Sequence, residues 1–177
     1  MIRIEQLSFS YSESLPALHS INLEINPGEA LVLVGPNGSG KTTLARCLNG
    51  LHQPEKGRVL IDEMDTSDPS QLHRIRQRVG MVFQNPDDQL VATTVESELA
   101  FGLENLALSS DEIHQRVDET LKTFELEPFR RHPPHRLSGG EKQRVAIAAV
   151  VAMRPRYLIL DEPTALLDPQ GRHQIAS

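Results

Sequence analysis

The chain has 177 residues, 38% of them hydrophobic and 24% charged, with a formal net charge of −6. That length holds one domain with a buried core, or one domain plus a lobe, and the acidic balance excludes nucleic-acid binding driven by bulk charge. A single cysteine, Cys47, rules out an internal disulfide framework, and the longest apolar run, Val145 to Met153, is far short of the ~20 residues of a membrane span.

The N-terminal MIRIEQLSF lacks the apolar core of a signal peptide, so the chain reads as soluble by itself, with any membrane role coming through a partner. In chain order, Ile2, Ile4, Leu7, Phe9 and Tyr11 alternate roughly, and Leu18, Ile21, Leu23 and Ile25 continue after a loop containing Pro16. This period predicts two antiparallel strands. The unbroken apolar run ALVLVG, Ala30 to Gly35, predicts a strand buried on both faces, followed by a glycine turn and a helix over Lys41–Leu51. Cys47 falls in that helix and reads as a small buried hydrophobe.

Arg58–Asp62 is a further short strand, Gln71–Arg78 a basic, exposed helix, and Val79–Gln84 a buried strand running into the polar loop QNPDDQ. From Val95 to about Met153 the pattern turns helical. Leu99, Leu103 and Leu106 share one helix, and Ile113, Val117, Leu121 and Phe124 stripe another, with Ser109 and Glu112 in capping-box spacing at its start. Pro128, Pro133 and Pro134 mark the loop after it, and Tyr157–Pro163 returns to a buried strand. Strands alternating with helices around a helical insert predict an α/β parallel sheet with a lobe.

Gly35, Gly40, Lys41 and Thr42 match G-x-x-x-x-G-K-[ST] between a predicted strand and a helix. Glycines let backbone N–H groups wrap a phosphate, Lys41 adds a point charge, and the Thr42 hydroxyl suits magnesium; the plain reading is a glycine turn with a surface lysine. In LILDE, Leu158 to Glu162, Asp161 is placed to hold magnesium through water and Glu162 to act as general base; alternatively, both acids only cap the next helix. Ser138 and Glu141 in LSGGEKQR again have capping-box spacing, which leaves the glycine pair Gly139–Gly140 unexplained. Bare N–H groups and a serine hydroxyl at a helix mouth also make an anion site, so both readings stand.

GPNGSGKTT, Gln84, LSGGEKQR and LILDEPTALLD, in this order, resemble the ATP-binding subunit of ABC transporters over essentially the whole chain. The resemblance implies a phosphate-loop NTPase core with a parallel sheet, an N-terminal antiparallel β subdomain and a helical subdomain over 88–150, all within a single domain spanning 1–177. It implies ATP and Mg2+ as cofactors. Nucleotide would be bound by Gly35, Pro36, Asn37, Gly38, Ser39, Gly40, Lys41, Thr42 and Thr43, with Tyr11 stacked on adenine unless that tyrosine is buried in the core. Lys41, Gln84 and Glu162 would be catalytic, and Thr42, Gln84 and Asp161 would hold the metal. Ser138, Gly139, Gly140 and Glu141 would complete the nucleotide site of a second ATPase subunit, and Asp168 would contact that subunit's phosphate loop.

VFQNPDDQLVATTVESELAFGLEN, Val82 to Asn105, is similar to the energy-coupling factor group of vitamin and metal-ion importers, which includes cobalt and nickel systems. That implies a second ATPase subunit, a transmembrane coupling subunit and a substrate-binding membrane subunit as partners, and a place on the cytoplasmic face of the cell membrane. Two departures stand out. Ala165 replaces the family's usual serine, and the few residues after Glu162 do not reach the family's switch histidine. His173 comes too soon for that role and reads as a surface residue, while the prolines between His132 and His135 favour a plain loop. The expectation is a truncated chain that binds ATP through Lys41 and hydrolyses it poorly. The alternatives are a non-catalytic module that pairs with an intact ATPase, and a soluble non-transport ABC ATPase.

Overall fold

The computed structural model describes residues 1–12 and 15–164, so Ala165, Asp168 and His173 lie outside the described residues. The chain divides into two compact units, Met1–Val79 and Gly80–Ser177.

The first unit is built on an antiparallel sheet. Strands β1 (Ile2–Ser12) and β2 (Leu15–Ile25) pair with Ile2 opposite Ile25 and Ile4 opposite Leu23, as the alternation predicts. The alternation of β1 changes phase between Ile4 and Leu7, and the ladder shifts register there, with Gln6 at a φ of 46°. The bulge returns Leu7 to the buried face, where it is wholly covered. Helix α1 (Lys41–Leu48) buries Leu44, Ala45, Cys47 and Leu48. It ends three residues before the expected Leu51, because the Asn49 side chain donates to the Val79 carbonyl at 3.0 Å and Gly50 turns the chain at a φ of 67°. Burial raises the Cys47 thiol to about 11, so it behaves as the inert small hydrophobe expected.

Strand β3 (Lys56–Ile61) adds to the other edge of β1, and β4 (Met64–Asp65) follows, giving the order β2-β1-β3-β4. Gly57 has a φ of 76°, and a Cβ there would overlap the backbone of Glu5 and Gln6, so the β1 bulge and this glycine require each other. Helix α2 (Leu72–Arg78) is basic and buries only Ile75.

One expectation fails in this unit. ALVLVG forms no strand, and Val32 and Val34 are 80% and 91% exposed. An apolar run becomes a doubly buried strand only when neighbours on both edges supply its ladder, and no strand of this sheet pairs with it.

In the second unit, β5 (Val79–Val82), buried throughout, pairs with β6 (Tyr157–Leu160) in a parallel two-stranded sheet. Between them run helices α3 (Val95–Glu104), α4 (Ser110–Thr123) and α5 (Gly139–Ala152). Their shared core sets Val95, Leu99 and Leu103 against Val117, Leu121, Val145, Ala148 and Ala152, each pair three or four residues apart along its helix. Leu106 lies just past α3 and, with Ile113 and Phe124, packs at the margin of this core. Ser109 caps α4 by accepting from the Glu112 N–H at 3.2 Å, while the Glu112 carboxylate turns to Arg116. Strand β6 is not the buried strand expected: Leu158 and Leu160 are 44% and 45% exposed, since among the described residues β5 is its one partner in the sheet. No helix among the described residues is long and apolar enough to cross a membrane.

The loop ahead of α3 is held by a buried acid. Glu98, 4% exposed, accepts the Val91 and Ala92 backbone N–H groups at 2.8 and 2.7 Å through one carboxylate oxygen. Truncating it orphans both donors, so Glu98→Ala should destabilise the chain by about 2–4 kcal/mol, with Glu98→Gln losing less because it keeps an acceptor. Urea titration reads this as a lower midpoint at unchanged slope.

Candidate functional site

The phosphate loop leads into α1 through Gly40, the N-cap, at a φ of 91°. Gly38 is also left-handed at 80°, and the Ser39 N–H closes a turn on the Pro36 carbonyl at 3.2 Å. Two such residues bend the chain back on itself so that successive N–H groups face one way. No acidic residue sits in the first turn of α1, which leaves the positive end of the helix uncompensated. Lys41 Nζ donates to the carbonyls of Gly35 and Pro36 at 3.0 and 3.1 Å, so the ammonium lies against the loop it is expected to serve. Thr42 and Thr43 fill the first turn, and the buried Thr43 hydroxyl hydrogen-bonds the Tyr11 hydroxyl at 3.0 Å. Tyr11 is 51% exposed, which overturns the reading of a buried core tyrosine.

In the second unit the parallel pairing brings together residues far apart in sequence. The Asp161 N–H donates to the Val82 carbonyl at 3.0 Å, fixing the ends of β5 and β6 side by side. Just beyond, Gln84 Nε2 donates to Glu162 Oε2 at 3.0 Å. Glu162 holds a φ of 46°, a left-handed conformation that carries roughly 1–2 kcal/mol of strain in a non-glycine residue. With its nitrogen given to Glu162, the Gln84 amide presents its oxygen as the remaining pole. That oxygen and the Asp161 carboxylate, both at the ends of the paired strands, are donors of the type hard divalent cations prefer, as is the Thr42 hydroxyl in the first unit.

Sequence reasoning missed the strap behind Gln84. Gln89 accepts from the Phe83 N–H at 3.1 Å and donates to the Ala146 carbonyl of α5 at 2.9 Å. Lys142 of the same helix pairs with Asp87 at 2.7 Å, and Asn85 caps the intervening short turn. The two polar residues flanking NPDD were the available signal.

The mouth of α5 is a complete capping box. Ser138 accepts from the Glu141 N–H at 3.4 Å, while Glu141 Oε2 accepts from the Ser138 N–H and hydroxyl, both at 2.7 Å. The Ser138 hydroxyl, and then its N–H, hold the Glu141 carboxyl below its usual range. A Cβ on Gly139 would meet nothing within 4 Å, so packing does not demand this glycine.

A family profile described as ABC transporter matches residues 18–165. The energy-coupling factor transporter ATP-binding protein EcfA1 of Clostridium novyi is 51% identical over 100% of this chain and 65% of its own length. EcfA of Syntrophomonas wolfei is 50% identical over 99% of this chain and 64% of its own length. The chain therefore spans about two thirds of the length of these curated relatives. Among solved structures, cbiO1 from Clostridium perfringens, described as part of the ABC transporter complex cbiONQ, aligns with a TM-score of 0.85 at 43% identity, covering 98% of this chain and 70% of that one. The ATP-binding cassette MJ0796, solved as a dimer in a post-hydrolysis state with ADP and Pi, aligns with a TM-score of 0.86 at 34% identity, covering 99% and 79%.

Proposed function

Because the chain belongs to the ABC transporter family of ATP-binding proteins, we propose that it forms the catalytic core of an ATP-hydrolysing subunit that powers substrate import through membrane partners of the energy-coupling factor type. The observation that carries this is the 3.0 Å contact between Gln84 and Glu162 at the ends of paired strands. A strained carboxylate held by an amide serves to orient a water and take its proton.

In this reading, Lys41 exchanges the Gly35 and Pro36 carbonyls for the β- and γ-phosphate oxygens of ATP, and the N–H groups from Gly35 to Thr43 cradle the phosphates. Tyr11 offers its exposed face to adenine. Thr42, Gln84 and Asp161 would hold Mg2+, which would supply positive charge against the phosphates. Glu162 accepts the proton of the attacking water while Gln84 keeps the carboxylate in place. Ser138, Gly139, Gly140 and Glu141 face the nucleotide of a second ATPase subunit, and the strap through Gln89 and Lys142 joins that signature helix to Gln84. Asp168 completes the contact with the other subunit. The helical segment 88–150 acts as a subdomain that meets the membrane partner, so the subunit works from the cytoplasmic face of the cell membrane beside a coupling subunit and a substrate-binding subunit.

The test is an affinity pull-down of the natively expressed protein, tagged at its N-terminus, from detergent-solubilised membranes. Recovery of a small coupling subunit and a second ATPase supports the reading, and the third subunit identifies the substrate. Recovery alone, or with soluble proteins only, overturns it.

A further inference from the structure

The candidate base-binding residue Tyr11 is flanked by rings that neither the phosphate loop nor the carboxylates use. Phe9 and His52 stack nearly parallel, with centroids 4.8 Å apart and 16° between planes. Tyr11 stands perpendicular to both, 5.2 Å from Phe9 and 5.5 Å from His52. Its hydroxyl is tied to Thr43. The Tyr11 ring is therefore held at one end by a hydrogen bond and along its side by a two-ring wall, while half of its surface stays open.

We propose that His52 is a positioning residue for nucleotide binding, which with Phe9 fixes the Tyr11 ring in the orientation that receives the base. This rests on the reading that Tyr11 contacts adenine.

The placement of His52 fits a residue used for its flat ring. Its Nε2 is buried and has no hydrogen-bond partner among the described residues, so the imidazole gains nothing on that side from being polar. Burial, and then the charge of Arg46, hold its pKa below the usual value, which favours the neutral ring. Phe9 lies on β1, and the His52 N–H donates to the Arg46 carbonyl at the end of α1. The wall thus joins the strand that carries Tyr11 to the helix that carries Thr42 and Thr43, and base and phosphate contacts are built on one frame. A free Tyr11 ring would have to be ordered when the nucleotide arrives; a held one is ordered beforehand.

The test is calorimetric titration of the chain with ATP and with inorganic tripolyphosphate, which has the phosphates without the base. His52→Ala should weaken ATP about three- to tenfold, the range of one or two aromatic contacts, and leave tripolyphosphate unchanged. His52→Phe, which keeps a stacked ring and removes the unpaired nitrogen, should restore ATP affinity with no loss of thermal midpoint. Unchanged ATP binding in His52→Ala overturns the inference, as does an equal loss for both ligands, which would mark a structural defect. Tyr11→Ala separates the two readings. If it loses ATP affinity selectively while His52→Ala does not, Tyr11 keeps its role and His52 has none; if Tyr11→Ala binds ATP normally, both fall.

Discussion

Glu162→Gln should lower ATP turnover by about 10²- to 10⁴-fold while leaving the dissociation constant for ATP within about twofold, the range spanned by removal of a positioned general base. The substitution keeps the size of the side chain and an oxygen that can still accept from Gln84 Nε2, now 3.0 Å away. Both residue types are equally strained at a φ of 46°, so the backbone has no reason to move. What is lost is the ability to take a proton from water. On the proposed roles, the base acts on the water and the loop at Gly35–Thr43 grips the phosphates, so the defect belongs in kcat and not in binding. Steady-state phosphate release together with equilibrium nucleotide titration checks this. A loss smaller than tenfold would remove Glu162 from the role of general base, and a parallel loss of affinity would make it a binding residue.

Gln84 and Glu162 stand at the ends of the predicted strands Val79–Gln84 and Tyr157–Pro163, and a parallel pair places such ends on one side, so their neighbourhood was legible although the contact itself was not. The helical half was equally legible. Leu99 and Leu103, or Val117 and Leu121, repeat at a spacing that only a helix brings to one face, and their burial follows. The failures have a common origin in partners that periodicity does not encode. Val32 and Val34 have the composition of a central strand, yet burial depends on which chains lie alongside them. Leu158 and Leu160 show the same limit on β6. The phase change between Ile4 and Leu7 could have announced the bulge, but not that Gly57 of another strand must lack a side chain to admit it. Long polar side chains are harder still. Gln89 reaching Ala146, and His52 lying flat on Phe9, depend on how loops return to an element, which neighbouring residues in sequence do not determine.

Gly40→Ala should weaken ATP binding by about 10²-fold, and Gly38→Ala by less than about tenfold, although both glycines are left-handed. The φ values are 91° and 80°, so the conformational strain of an L-residue is common to both. Their surroundings differ. A Cβ on Gly38 meets nothing within 4 Å, and the loop can absorb the strain by opening towards solvent. A Cβ on Gly40 lies 2.7 Å from the Ala17 carbonyl and 2.9 Å from Leu18 Cδ2. The leucine methyl can rotate away, but Ala17, itself at a register shift, lies between Pro16 and Leu18 of β2, both paired with β1, which limits how far its backbone can move. The strand yields less readily than the start of α1, so the helix start is expected to shift. That shift displaces the N–H groups of Lys41 and Thr42 from the phosphates and strains the 3.0 Å tie between Thr43 and Tyr11. Titration of both variants with tripolyphosphate isolates the phosphate contribution, since no base is present. Equal losses for the two would show that backbone strain alone sets the affinity; a much larger loss at Gly40 shows that the loop works because β2 braces it.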